Sequence, residues 1–85
     1  MELKSYRDGN IAYIVVEPSG FDIKKKYPAI ILLHGYGSNM QDLAGLSPAI
    51  SSDEYLYICP NAPLDIELAP GYTGHAWLEL ESTDF

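Results

Sequence analysis

Ile30-Ile31-Leu32-Leu33-His34-Gly35-Tyr36-Gly37-Ser38 decides how this 85-residue sequence is read. Ala29 to Leu33 follows Pro28 and is apolar at every position. Five apolar residues without alternation predict a strand buried on both faces, as in a parallel sheet. His34-Gly35-Tyr36-Gly37 breaks that run. Ser38 is the expected N-cap of a helix, with Gln41 completing a capping box. The helix is expected from Asn39 to about Ser51, with Leu43, Leu46 and Ile50 on its inner face. Pro48 inside it is expected to kink or split it. Tyr55 to Cys59 reads as the next strand, closed by Pro60-Asn61-Ala62-Pro63. A strand, a helix and a second parallel strand form a right-handed crossover, which predicts an α/β fold.

Upstream, Leu3 to Tyr6 and Ile11 to Glu17 read as a hairpin around the turn dipeptide Asp8-Gly9. Phe21 to Tyr27 is a polar connection carrying the exposed run Lys24-Lys25-Lys26. Downstream, Leu64 to Phe85 shows no regular period, with turns at Pro70-Gly71 and Gly74 and an apolar stretch at Trp77-Leu78-Glu79-Leu80. Residues 1–85 are read as one segment of a single domain.

Composition narrows the function. Apolar residues make up 47 % and the net charge is −7. The first figure describes globular material, and the second argues against nucleic acid and anionic membranes as partners. All five basic residues (Lys4, Arg7, Lys24, Lys25, Lys26) lie in the first 26 positions, and only acids follow. This reads as an acidic, solvated surface, or as one whose cations lie on a part of the protein outside this chain. No apolar run is long enough to span a bilayer, and the amino terminus has no signal-peptide core. Cys59 is the single cysteine, so a reduced, cytoplasmic setting is expected.

The chemistry sits in the turn. Glycines at 35 and 37 permit unusual dihedrals and close approach, so the loop can aim backbone N–H groups outward. The helix start adds partial positive charge. Together they suit a developing oxyanion. An ordinary Gly-rich strand-to-helix turn and a phosphate-cradling turn are the competing readings; against the dinucleotide form of the latter, Met40 stands where G-x-G-x-x-G needs its third glycine.

Leu32-Leu33-His34-Gly35-Tyr36-Gly37-Ser38-Asn39, with Asp42-Leu43 and Leu46-Ser47-Pro48, resembles the phospholipase/carboxylesterase family of α/β-hydrolases, which includes the acyl-protein thioesterases. Pro60-Asn61-Ala62-Pro63 is similar to that family's Pro-x-Ala-Pro segment. Gly71 through Trp77-Leu78-Glu79 is similar to its Gly…Trp-aromatic-acid segment. The three blocks span most of residues 28 to 80. The resemblance implies the N-terminal portion of an α/β-hydrolase sheet, a carboxylic ester or thioester as substrate, and no cofactor. It implies the N–H of Tyr36 as the first oxyanion donor, with His34, Gly35 and Gly37 supporting the turn. It implies Trp77 beside the acyl pocket. His34 would brace the turn; the family's catalytic histidine lies far downstream. Tyr36 is bulkier than the Leu or Phe common there, and Leu78-Glu79 replaces an aromatic-Asp pair, so substrate preference is open.

The triad itself is absent. No Gly-x-Ser-x-Gly occurs; the nearest match, Gly45-Leu46-Ser47-Pro48-Ala49, falls inside the expected helix. His75 reads as an exposed loop histidine with no partner nearby. The histidines and Cys59 have no metal-ligand spacing, and Asp65/Glu67 and Glu79/Glu81 read as solvated acids. A complete hydrolase of this kind needs on the order of 200 residues. Two expectations follow. The chain is the inactive front part of a serine esterase, needing the missing C-terminal part. Alternatively, it is a non-catalytic module that binds or oligomerises by strand pairing along the open edge of Ala29 to Leu33.

Overall fold

A computed structural model describes residues 1–78. Glu79 and Glu81 lie outside these described residues. Seven elements follow in order: β1 (Glu2–Asp8), β2 (Ile11–Glu17), β3 (Ala29–Ile31), α1 (Met40–Ile50), β4 (Leu56–Pro60), β5 (Leu64–Ala69) and β6 (Tyr72–Ala76). The first four strands form one sheet in the order β1-β2-β4-β3, and β5 and β6 form a separate ribbon. β3 and β4 pair in parallel across α1, so the expected crossover is present. The mixed sheet and single helix are compatible with part of an α/β fold.

β1 and β2 pair antiparallel from Glu2↔Glu17 to Asp8↔Ile11. The turn is therefore Gly9-Asn10, one residue later than the Asp8-Gly9 expected, with Gly9 at φ 62°. Glycine takes that left-handed conformation without steric cost. Lys4 Nζ lies 3.2 Å from Glu17 across the pair, and that carboxylate holds the Lys4 ammonium above its ordinary pKa.

The core lies on one face of the sheet. Ile14, Val16, Tyr57 and Cys59 alternate inward on β2 and β4 and meet Ala44 of the helix. Ile30, Leu32, Met40, Leu43 and Tyr55 pack around them. Burial pushes the Cys59 thiol up from its ordinary pKa, so it stays protonated. By strand alternation and register, Tyr13, Val15, Ile58 and Ile31 share the opposite face. Among the described residues no helix covers that face.

Three expectations are corrected here. First, β3 is an edge strand of three residues, not a strand buried on both faces; Ile31 and Leu33 are 62 % and 63 % exposed. An apolar run records fitness for burial, whereas burial itself depends on what packs on each face: Ile30 and Leu32 meet the core, while no described helix covers the face that Ile31 shares with Ile58. Second, Asn39 caps the helix, not Ser38. Its side chain accepts the Asp42 N–H at 3.0 Å, while Ser38 Oγ donates to the Asp42 carboxylate at 2.5 Å. Third, the inner stripe is Met40, Leu43, Ala44 and Ser47. Leu46 and Ile50 are more than half exposed.

Pro48 leaves the helix unbroken. Proline removes the N–H that would reach the carbonyl four residues back, at Ala44. Ser47 Oγ donates to that carbonyl at 2.7 Å from a fully buried position. The neighbouring side chain thus supplies the bond that proline removes. Ser47→Ala should destabilise the fold by about 1–3 kcal/mol, by leaving a buried carbonyl unpaired. Restoring the N–H in the double variant Ser47→Ala/Pro48→Ala should recover most of that loss. Urea midpoints measure both, and no recovery would refute this account.

The region from Leu64 onward is also more regular than its sequence pattern. β5 and β6 pair from Leu64↔Ala76 to Ala69↔Tyr72, with a register shift between Glu67 and Ala69. The turn is Pro70-Gly71, with Gly71 at φ 79°. The turn expected at Pro70-Gly71 is present, whereas Gly74, also expected to mark a turn, lies inside β6 opposite Ile66. The strands leave no periodic signal because the ribbon is mostly exposed and has no clean apolar alternation.

Candidate functional site: the turn after the third strand

The chain leaves β3 through Leu32, whose N–H still donates to the Ile58 carbonyl at 2.9 Å. His34 then turns inward and is 3 % exposed. Its Nδ1 lies 2.8 Å from the Gly35 carbonyl, and its Nε2 accepts the Ala62 N–H at 2.9 Å. An amide donor on Nε2 leaves Nδ1 as the protonated nitrogen, donating to Gly35. The ring therefore joins the turn to the segment leaving β4. Trp77 packs on the ring at 5.2 Å between centroids and donates from its indole to the His34 carbonyl at 2.9 Å. Both ring nitrogens and the main-chain oxygen of one histidine are thus engaged.

The turn closes on itself through the Ser38 N–H, which donates to the Gly35 carbonyl at 3.1 Å. Gly37, at the third position, has φ 82°, the signature of a type II turn. Its N–H donates to the His75 carbonyl at 2.8 Å, and the His75 N–H donates to the Ser38 carbonyl at 3.0 Å. Two amides of the turn are thereby occupied. The Tyr36 N–H has no hydrogen-bond partner among the described residues, and its side chain is 52 % exposed.

The α1 N-terminus lies next along the chain, and Asn61 fixes it by accepting the Met40 N–H at 3.0 Å. The Pro-Asn-Ala-Pro segment is thereby tied to the turn twice, through Asn61 and through Ala62. This convergence joins two blocks that lie apart in the sequence. Trp77, from the third block, completes it.

His75 is not an isolated loop histidine. It lies on β6, half-buried, with Nδ1 3.1 Å from Asp65 across the ribbon. The two line a polar cleft of about 270 Å³ together with Arg7, Asn10 and Asn61. The cross-strand partner could not be found without the hairpin register. Asp65 and Glu67 do share one exposed side of β5. Ser47, in the nearest match to a nucleophile elbow, is buried in α1 and donates to a main-chain carbonyl, so it is no nucleophile. Among the described residues no cluster of three or more His, Cys, Asp or Glu side chains is placed to hold a metal. No described helix is long and apolar enough to cross a membrane.

A parallel strand–turn–helix with a histidine-pinned glycine turn at the carboxyl end of its first strand defines a class, the proteins of α/β architecture. Within that class, the family model for Phospholipase/Carboxylesterase matches residues 13–85. The chain belongs to this family of α/β-hydrolases. No curated protein and no solved structure matches it.

Proposed function

We propose that this chain is the front part of a serine hydrolase for carboxylic esters or thioesters, and that it contributes the first oxyanion donor, the Tyr36 N–H. The observation that carries the reading is the Gly35–Ser38 turn, in which the Ser38 amide donates to Gly35 and the Gly37 amide to His75 on β6, while that of Tyr36 is unpaired among the described residues. A serine from outside these 85 residues would attack the substrate carbonyl. The resulting tetrahedral oxyanion would accept from Tyr36. Its collapse would expel the alcohol or thiol, and water would then release the acid from the acyl-enzyme. His34, Gly35 and Gly37 hold the turn, and Trp77 borders the acyl side. The uncovered sheet face and the exposed β3 edge support the reading, since both suit further protein packed on them. The single buried cysteine fits a reducing, cytoplasmic setting.

The exposed β3 edge also favours a second reading, a non-catalytic module that pairs with another strand there. The two separate by experiment. The 15N-labelled chain is titrated with methylphosphonate, a tetrahedral oxyanion mimic. The proposal expects the Tyr36 amide resonance to move, with little change in the β1–β2 hairpin. A stationary Tyr36 resonance would refute the oxyanion assignment. Turnover of 4-nitrophenyl acetate by the chain alone should match buffer, and serine-dependent turnover would refute the external nucleophile. Self-association through β3 without a Tyr36 response would favour the module.

A further inference from the structure

The ribbon of β5 and β6 does more than follow the turn along the chain; the turn is docked on it. Ser38 and His75 form an antiparallel bridge, with the Gly37 and His75 amides donating in opposite directions. Gly37-Ser38 thus lies against β6 as a third, two-residue strand of the ribbon. The approach is close because position 74 has no side chain. A Cβ at Gly74 would overlap the Gly37 carbonyl oxygen, and would come within 2.6 Å of its carbon and 2.9 Å of the Gly37 Cα. All three are backbone atoms, so no rotamer change relieves the overlap. Leu68 of β5 also lies against Gly37, 3.3 Å from where a Gly37 Cβ would sit. The His75 side chain takes no part in the bridge; it pairs with Asp65 instead.

We infer that Gly74 is a positioning residue for the turn: its missing side chain lets the β5–β6 ribbon clamp Gly37-Ser38 and so fix where the Tyr36 N–H points. The need for glycine here is steric. Gly74 carries no positive φ, so a substitution fails through contact with Gly37 and not through its own backbone. The ribbon thereby acts as a strut for a loop whose own turn bond, from Ser38 to Gly35, fixes only its closure. The chemical consequence of the clamp rests on the oxyanion reading of Tyr36; the clamp itself does not.

Amide hydrogen exchange on the 85-residue chain tests it. In Gly74→Ala, the Gly37 amide should exchange about tenfold faster than in the unaltered chain, as expected when one hydrogen bond is lost. The amides of β2 should keep their protection. His75→Pro gives a second route, because it removes the donor to Ser38 without adding bulk at position 74. It should accelerate Gly37 exchange similarly, whereas His75→Ala, which keeps both backbone bonds, should not. If Gly74→Ala unfolds the chain, as read from the β2 amides, His75→Pro against His75→Ala decides. Unchanged Gly37 exchange in the folded Gly74→Ala chain, or in His75→Pro, would overturn the inference. Repeating the methylphosphonate titration separates the two proposals. A Tyr36 response that persists unaltered in Gly74→Ala overturns the positioning role. A response absent even from the unaltered chain, with Gly37 exchange still accelerated by Gly74→Ala, overturns the oxyanion reading and upholds the clamp.

Discussion

His34→Ala is expected to lower stability by about 2–4 kcal/mol and to free the turn after β3. The substitution removes three restraints at once. The Ala62 N–H loses its acceptor, the Gly35 carbonyl loses one of its two donors, and Trp77 loses the ring it packs on. Against a total stability of roughly 5–15 kcal/mol for a domain, that is a large share. Trp77 is the single tryptophan, so its fluorescence reports directly on this packing. The expected result is a lower urea midpoint together with a changed native-state emission. His34→Asn can retain one of the ring's hydrogen bonds and should fall between the two. A midpoint within about 0.5 kcal/mol of the unaltered chain would mean that the histidine does not hold the turn.

Tyr57→Ala should have a larger effect, about 3–5 kcal/mol, the range for deleting a buried aromatic ring. Tyr57 is fully buried on β4, at the centre of the sheet between β2 and β3. Its ring packs in the cluster with Ile14, Val16, Cys59 and Ala44. Its hydroxyl donates to the Ser51 carbonyl at 2.8 Å, which ties the end of α1 to the strand that follows. Tyr57→Phe separates the two contributions. It keeps the ring and loses the hydrogen bond, so its cost should be only about 0.5–1.5 kcal/mol. Circular dichroism against urea measures both. Equal losses for Phe and Ala would place the stabilisation in the hydroxyl and contradict the packing account.

These two residues join the core to the turn. Tyr57 and Cys59 hold β4 against α1, and β4 delivers Asn61 and Ala62 to the turn. His34 then binds that segment to the loop leaving β3. The turn thus depends on the parallel pairing of β3 and β4, which brings the exits of both strands to one end of the sheet.

The crossover and the family are legible in local stretches of sequence. The apolar run before His34, the glycines at 35 and 37, and the strand at Leu56–Pro60 are local signals, and each acts through the backbone preferences of its own residues. Ser38 and Asn39 are adjacent polar residues that fit the same capping pattern, and only geometry selects Asn39, whose side-chain oxygen accepts the Asp42 N–H. Pro48 looked like a break because its effect depends on a hydroxyl that finds Ala44 in three dimensions. That β3 is an edge, that His75 pairs with Asp65, and that Gly74 must be small emerge only in three dimensions. Each of those facts concerns two segments of the chain and how they meet. Burial, register and close approach are properties of pairs of segments, and a single segment's composition does not contain them.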